Sequence, residues 1–294
     1  MMIKQFLDYL QSERNYSEKT IAAYGRDLKE FELFFKNLDN HLEWNSVDAD
    51  IIRDWMEMMM DKGNIATSVN RRLSALRSFY RFALSRGLIE SDPAHNITGP
   101  KKHKALPCFL REDEINSLLD TDKWRLDDYD QLRARTILLT FYTTGLRISE
   151  LVSLEDYMVD LESCRLKVTG KRDKQRVIPF GPELQQALID YKAGRDAAVE
   201  KHSSAFFLTR KGQRVKDSFV RNEVKKYLSL VSTMKKRTPH VLRHTFATSM
   251  LNHGAGLESV KKLLGHQSLT TTEIYTHTTF EQLKNVYNSA HPRA

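Results

Sequence analysis

The chain has 294 residues, of which 40% are hydrophobic, and it carries a formal net charge of +8. This length allows two domains with separate cores, and the hydrophobic content excludes a chain that is disordered throughout. The charge is unevenly placed: residues 1–98 carry 13 Lys and Arg against 15 Asp and Glu, whereas residues 99–294 carry 33 against 23. The excess of basic residues in the second part favours a polyanionic partner.

Nothing in the sequence indicates a membrane protein or a secreted protein. No run approaches the roughly 18 apolar residues of a membrane span, and the first residues lack the apolar core of a signal peptide. The two cysteines, Cys108 and Cys164, provide no disulfide framework. We therefore expect a cytoplasmic protein that does not associate with membranes.

Apolar residues recur at helical spacing through the first part of the chain. They predict two helices between residues 3 and 38, the second of them capped by Ser17. A third helix is predicted over residues 51–60 and a fourth over residues 67–89. We expect these helices to form an N-terminal domain over residues 1–87.

The fourth predicted helix has a basic face. Residues 67–89 contain five arginines and no acidic side chain, and several of the arginines lie opposite the apolar stripe. A solvated face usually mixes charges of both signs, so uncompensated arginines favour contact with nucleic-acid phosphates over a simple solvated surface. The arginines predicted to contact DNA are Arg71, Arg72, Arg77 and Arg81.

Proline, glycine and lysine are concentrated over residues 88–106, which predicts a linker to a second domain over residues 107–294. In that domain, residues 134–142 predict a helix that is apolar on nearly every side. Alternating apolar residues over 165–180 predict a β-hairpin with a basic tip at Lys171.

The apolar helix stops at Gly145, and Arg147 and Glu150 follow at helical i, i+3 spacing. A structural ion pair between a buried arginine and a carboxylate would explain this spacing. The pair also describes a guanidinium that Glu150 holds in place so that its planar fork meets phosphate oxygens. The sequence leaves both interpretations open.

A second group of basic residues begins a later helix. Thr238 suits the N-cap of this helix, and Pro239 suits its first position. His240 and Arg243 then lie on the same side of the helix start. Unpaired N–H groups and the positive end of the helix dipole favour an anion at this place, such as a phosphodiester.

A zinc site is the first rival interpretation, because five histidines fall in this part of the chain and His240 and His244 have metal-like spacing. Val241 stands where a helical zinc hydrolase motif needs its glutamate, and neither cysteine is near in sequence. Zinc is therefore the weaker interpretation.

Three further features lie near the end of the chain. Gly265 ends a short predicted helix and leaves His266 just past it. Tyr275 lies early in the next predicted helix, after a capping box. The final segment has an apolar face with nothing after it in the chain to cover it, which indicates docking onto this or another subunit.

Six side chains from separated segments suit phosphoryl transfer with a covalent intermediate. They are Arg147, Lys171, His240, Arg243, His266 and Tyr275. A tyrosine hydroxyl is a poor nucleophile unless neighbouring cations stabilise its developing negative charge. Arginines can hold the nonbridging oxygens of a phosphodiester, and lysine and histidine can move protons.

Five sequence boxes resemble, in order and spacing, the signature motifs of the tyrosine recombinases, the lambda integrase family. They are Thr144-Gly-Leu-Arg-Ile-Ser-Glu-Leu, Thr169-Gly-Lys, His240-Val-Leu-Arg-His, Leu264-Gly-His and Thr272-Glu-Ile-Tyr-Thr-His. Each box alone is a modest signal, but five in order are specific. The resemblance extends over nearly the whole chain, and the size and the ending look most like the Xer type.

The resemblance implies a fold that is mainly α with a small antiparallel β-sheet. An N-terminal four-helix, SAM-like domain and a tyrosine-recombinase catalytic domain would close as a two-domain clamp on duplex DNA. It also implies the roles of the site residues, with Tyr275 as the nucleophile that forms a 3′-phosphotyrosine. Arg147 and Arg243 would clamp the phosphate, with Glu150 steadying Arg147. Lys171 would be the general acid, and His240 and His266 would assist proton transfer.

The resemblance implies no metal and no nucleotide cofactor. It implies a tetramer on two duplexes, formed with itself or with a paralogous XerD-like recombinase, in which the C-terminal tail packs onto a neighbour. The expected role is the resolution of chromosome dimers at cell division, with a DNA translocase at the division septum as a partner.

The sequence does not separate this role from that of a mobile-element integrase or DNA invertase of the same family, which shares the chemistry and differs in its target. An architectural DNA-binding protein without catalysis is the alternative from another class, and the intact set of six side chains argues against it. A type IB topoisomerase would use similar chemistry without a defined site.

Overall fold

The structure is a computed structural model, and it describes residues 2–101, 108–170, 175–265 and 277–294. The chain divides into two compact units, Met1–Ala105 and Leu106–Ala294, each with its own hydrophobic core. Among the described helices, none is long and apolar enough to cross a membrane. Both units are mainly helical, as expected, and the second also contains the small sheet.

Four helices form the first unit, as the periodicity predicts. They are α1 (Met2–Ser12), α2 (Glu18–Leu38), α3 (Ala49–Asp61) and α4 (Ala66–Ser85). Ser17 caps α2, since its hydroxyl accepts a hydrogen bond from the backbone N–H of Thr20 at 3.3 Å. Aromatic rings fill the space between the helices, with Phe31 against Trp55 and Trp44 against Phe79.

The segment after α4, which we expected to serve as a linker, packs onto this first unit. Ile89, Ala94 and Ile97 are buried in its core. Arg77 of α4 donates hydrogen bonds to the carbonyl oxygens of Ala94 and Ile97, which ties the segment to the helix. These three side chains are removed from water as part of the core of the first unit. The first unit therefore extends beyond its fourth helix.

Eight α-helices belong to the second unit in the described part of the chain. They are α5 (Glu112–Leu119), α6 (Tyr129–Thr144), α7 (Ile148–Val152), α8 (Pro182–Ala198), α9 (Asp217–Val231), α10 (Pro239–Asn252), α11 (Leu257–Leu264) and α12 (His277–Ala290). Fourteen of the sixteen residues of α6 are buried, and this helix packs against α8 and α10. The prediction of a helix that is buried on nearly every side is confirmed.

A three-stranded antiparallel sheet lies in the same unit, in the order β1-β2-β3. Its strands are β1 (Val159–Asp160), β2 (Arg165–Thr169) and β3 (Gln175–Pro179). The predicted hairpin is confirmed as β2 and β3, with Val168 opposite Arg176. The sequence did not predict β1, because two residues are too few to show alternation.

The C-terminal segment packs onto the chain's own second unit. Leu283, Tyr287 and Ala290 of α12 are buried, and α12 contacts α10, α11 and β3. His291 stacks on Tyr287, with ring centroids 5.0 Å apart. The apolar face that was expected to dock onto this or another subunit is thus covered within the chain.

The turn after α6 depends on Gly145, whose φ is +60°. A Cβ atom there would lie 2.6 Å from Cδ1 of Phe246 and 2.7 Å from Cδ2 of Leu264. We expect Gly145→Ala to lower the free energy of unfolding by about 3 kcal/mol, since the left-handed backbone and the overpacking both cost energy. Gly254→Ala is the control, because Gly254 has φ +88° and no described heavy atom close to its Cβ position. It should cost only about 1 kcal/mol in urea unfolding, and equal losses would contradict the steric argument.

His291 makes tail docking sensitive to acid. Burial lowers its pKa to about 4, and the charge of Arg293 acts in the same direction. The unfolded chain, with a His pKa of about 6.5, binds more protons than the folded chain as pH falls toward 4. The free energy of unfolding that neutral His291 contributes is therefore fully present above about pH 6.5. It is lost as the pH falls from about 6.5 to about 4, by up to about 3 kcal/mol. Urea unfolding at several pH values should show a shallower acid loss for His291→Phe than for the wild type, and parallel curves would refute the prediction.

Candidate active site

Arg147 and Glu150 form the predicted ion pair at the start of α7. Arg147 precedes the helix, and its backbone N–H donates to Oε2 of Glu150 at 2.7 Å. Its Nη1 donates to Oε1 of the same carboxylate at 2.9 Å. Glu150 is buried, whereas 28% of the Arg147 side chain is exposed. The carboxylate therefore orients Arg147 and leaves part of its guanidinium accessible.

Arg243 comes from α10 and reaches the same place. It donates to the carbonyl oxygen of Gly145, in the turn that leads to Arg147, and to that of Leu264 at 2.6 Å. Nη2 of Arg147 donates to the next carbonyl, that of Gly265, at 3.0 Å. Two arginines that lie far apart in sequence thus meet at the C-terminal end of α11, where the helix dipole is negative.

Arg243 remains a cation in this setting. Burial lowers the pKa of Arg243 to about 10, and the nearby positive charge of Arg147 contributes in the same direction. That value still leaves Arg243 charged at neutral pH. Two adjacent guanidiniums that cost energy to hold together favour a bound anion, because it relieves their repulsion.

His240 lies one position into α10, after Pro239 at the first position as predicted. Thr238 takes the N-cap position, although its side chain makes no capping hydrogen bond within the described chain. Partial burial of the ring lowers the pKa of His240, and the charge of Arg243 lowers it further. The imidazole is therefore neutral at pH 7 and can accept a proton.

Arg176 belongs to this cluster, although no motif or spacing in the sequence predicted it. Its Nη1 and Nη2 donate to the two oxygens of Glu150 at 2.7 and 2.9 Å, and its Nε donates to the carbonyl of Leu263 at 3.0 Å. The available signal was its place in β3, where Arg176 and Ile178 share the buried face. A charged residue on the inward face of an alternating strand indicates a buried partner.

Burial raises the pKa of the Glu150 carboxyl, but its two arginine partners lower that pKa by more. The hydrogen bonds and charge of Arg176, together with those of Arg147, lower the pKa of this carboxyl below its usual value. The carboxylate is therefore ionised at neutral pH. It neutralises one of the three clustered arginines.

Three of the six predicted site residues, Lys171, His266 and Tyr275, lie outside the described residues. The other three are Arg147, His240 and Arg243. Of these the structure joins Arg147 and Arg243 through neighbouring carbonyls, while His240 lies at the helix start, mostly accessible and with its ring only partly desolvated. Within the described ranges, no group of three metal-ligating side chains includes His240 and His244.

The four arginines of α4 have more partners than the sequence indicated. Arg71 pairs with the buried carboxylate of Asp27, and Arg72 lies 3.2 Å from Glu30. The interpretation that these two are uncompensated is wrong, because α2 supplies the acidic partners. Arg77 is bonded to backbone carbonyls, and Arg81 is exposed. Contact of these four residues with DNA stays a prediction.

Comparisons with known proteins agree on one family. Residues 108–282 match the family model described as "Phage integrase family", and residues 3–87 match "Phage integrase, N-terminal SAM-like domain". Tyrosine recombinase XerC of Chlorobaculum tepidum is 39% identical, over 99% of this chain and 94% of that protein. Tyrosine recombinase XerD of Oceanobacillus iheyensis is 33% identical, over 99% of this chain and 98% of that protein.

A solved structure has the same fold. The XerH site-specific recombinase, described as bound to a palindromic difH substrate in a post-cleavage complex, matches with a TM-score of 0.74 and 22% identity. The match covers 96% of this chain and 83% of that one. The resemblance to tyrosine recombinases of Xer type is confirmed by the family models and by the full-length relatives. The chain belongs to the phage integrase family, the tyrosine recombinases.

Proposed function

We propose that the chain is a site-specific tyrosine recombinase of Xer type, which cuts and rejoins duplex DNA through a 3′-phosphotyrosine intermediate. The observation that carries the proposal is the meeting of Arg147 and Arg243 at the end of α11. Two fixed guanidiniums on adjacent carbonyls suit the nonbridging oxygens of one phosphodiester. The full-length XerC and XerD relatives support the same chemistry.

Arg147 and Arg243 act on the scissile phosphate by charge and by position. As the phosphorus becomes pentacoordinate, negative charge grows on its nonbridging oxygens, and preorganised guanidiniums stabilise that charge. Glu150 keeps Arg147 in its orientation before DNA arrives, so little reorganisation is needed when the charge develops. His240, neutral at pH 7, accepts or donates a hydrogen bond at the same phosphate.

The covalent step exchanges one phosphoester bond for another. As the hydroxyl oxygen of Tyr275 attacks the phosphorus, its proton passes to a histidine of the site, His240 or His266. The bond from phosphorus to the 5′ oxygen breaks, and Lys171 gives a proton to that leaving oxygen. His240 and His266 assist the proton movements. A 5′ hydroxyl of another strand then attacks the phosphotyrosine and reverses the sequence, so the energy of the phosphodiester is retained without a nucleotide cofactor.

The two parts of the chain take different tasks in this proposal. Residues 1–87 bind the DNA, residues 107–294 carry the reaction, and residues 88–106, part of which packs onto the first unit, connect the two. Four protomers act on two duplexes, and the partner is the same chain or a paralogous XerD-like recombinase. The tail, which packs on the chain's own second unit in the structure, leaves this position in the tetramer and packs onto a neighbour. The biological task is the resolution of chromosome dimers at cell division in the cytoplasm, with a DNA translocase at the septum.

The decisive measurement is covalent capture on a nicked duplex. Footprinting on the host's genomic DNA first locates the site, and a duplex with that site and a nick next to the scissile phosphate traps the intermediate. We expect the wild type to form a denaturant-resistant protein–DNA adduct and Tyr275→Phe to form none, because phenylalanine lacks the nucleophilic oxygen.

Two results would overturn the proposal. Site-specific binding by both proteins without any adduct would indicate an architectural DNA-binding protein. Relaxation of supercoiled DNA without a defined site would indicate a topoisomerase.

Tyr157→Phe is the control for Tyr275→Phe. It changes an exposed hydroxyl and should leave the adduct intact, whereas Tyr287→Phe is unsuitable because that ring is buried.

Arg81 tests the proposed DNA-binding face of α4. It is exposed, unlike the partly compensated Arg72, so its charge is available to a phosphate. We expect Arg81→Gln to weaken binding of the site duplex and to reduce the salt slope by about one. Arg53→Gln, which removes the same charge from α3, should change neither quantity. Equal effects of the two substitutions would show that only net charge matters.

A further inference from the structure

Arg176 touches three segments of the second unit at once. It lies on β3, it holds both oxygens of Glu150 on α7, and it donates to Leu263 at the end of α11. Each of these segments adjoins a predicted site residue. Arg147 is the partner of Glu150, Lys171 belongs to the hairpin that β3 closes, and His266 follows the end of α11 in sequence.

We propose that Arg176 is a positioning residue for strand cleavage. By donating hydrogen bonds both to Glu150 and to the end of α11, it fixes the guanidinium of Arg147 where the scissile phosphate binds. This inference rests on the proposed recombinase function. It adds to that function a residue that acts through Arg147 rather than on the DNA.

The geometry of the carboxylate supports this role. Arg176 donates one hydrogen bond to each oxygen of Glu150, and Arg147 donates another to each, one of them from its backbone N–H. The side chains of Arg176 and Glu150 are only 6% and 2% exposed. With Arg176 in place, Glu150 has little freedom to rotate, and the fork of Arg147 is fixed through it.

Arginine is required at this position because three different acceptors must be met in one plane. Its Nε, Nη1 and Nη2 donate to Leu263 and to the two oxygens of Glu150. A lysine carries a point charge on a flexible stem and cannot reproduce the bidentate contact together with the carbonyl contact. Gly265 makes room, because a Cβ there would lie 3.1 Å from Nη1 of Arg176.

The charge balance of the cluster also depends on Arg176. Three arginines, Arg147, Arg176 and Arg243, surround a single carboxylate, that of Glu150. The formal excess of positive charge matches a phosphodiester that gains negative charge as it becomes pentacoordinate. Without Arg176, the negative charge of Glu150 would attract Arg147 more strongly and move its guanidinium away from the phosphate.

The test uses the full chain and the nicked site duplex. Arg176→Lys keeps the charge and loses the fork. We expect its single-turnover rate of adduct formation at saturating DNA to fall about 100-fold, while the Kd for the duplex changes less than about threefold, because the loss lies in the transition state. An adduct rate within about threefold of the wild type would overturn the inference.

Arg133→Lys is the matched control. Arg133 is also a buried arginine that is bonded to a carboxylate, that of Asp130 at 2.7 Å, and to a carbonyl, that of Leu208 at 3.2 Å. It has no contact with Glu150 among the described residues. Arg133→Lys should lower the Tm as Arg176→Lys does and leave the adduct rate within about threefold. A similar loss of rate in both variants would mean that Arg176 acts only through stability.

A double-mutant cycle identifies the route of the effect. If Arg176 acts through Arg147, the variant with both Arg147→Lys and Arg176→Lys should be no slower than Arg147→Lys alone. A double variant in which the rate losses of the two single variants multiply would contradict that route. If Arg176→Lys fails to fold, Glu150→Leu combined with Arg176→Met replaces the buried ion pair by apolar groups, which proteins often tolerate. We expect this variant to bind the duplex and to lose the adduct, and retention of the wild-type rate would refute the inference.

The outcomes also separate this inference from the proposed function. If the wild type forms no adduct on the site duplex, the recombinase function fails and the inference fails with it. If the wild type forms the adduct and Arg176→Lys forms it equally fast, only the role of Arg176 is wrong.

Discussion

The buried carboxylate of Glu150 is the constraint on which the centre of the second unit depends. Removing an ionised carboxylate from water costs several kcal/mol, so the group persists only because its oxygens accept four hydrogen bonds from arginines. Those bonds determine where Arg147 and Arg176 lie. Because Arg147 immediately precedes α7 and Arg176 lies on β3, satisfying one carboxylate also fixes a helix start against the sheet.

The end of α11 completes the arrangement from the other side. Consecutive carbonyls of Leu263, Leu264 and Gly265 each accept a hydrogen bond from a different guanidinium. Such carbonyls have no partner within the helix itself, so the arginines satisfy groups that would otherwise be buried at a cost. The C-terminal helix α12 packs on α10, α11 and β3, which carry most of these groups. Tail docking and the arginine cluster therefore share one scaffold.

The first unit shows how tertiary partners change the meaning of a charge pattern. Along α4 the sequence has four arginines and no acid, yet Asp27 and Glu30 of α2 supply counter-charges in space. Arg77 serves the backbone that follows α4. A run of like-charged residues in the sequence reports only local composition. Whether those charges are compensated depends on the side chains that pack against them in the fold.

The sequence by itself determined the element types and the family. Helical periodicity and alternation located α1 to α4, the buried α6 and the β2–β3 hairpin, because those patterns are local consequences of backbone geometry. The spacing of Arg147 and Glu150 within one helical turn also predicted their contact. Only the tertiary structure brought Arg243 to the carbonyls beside Arg147 and revealed Arg176 as the second partner of Glu150. Contacts between residues so far apart in sequence depend on how packed elements meet, and no local spacing encodes that.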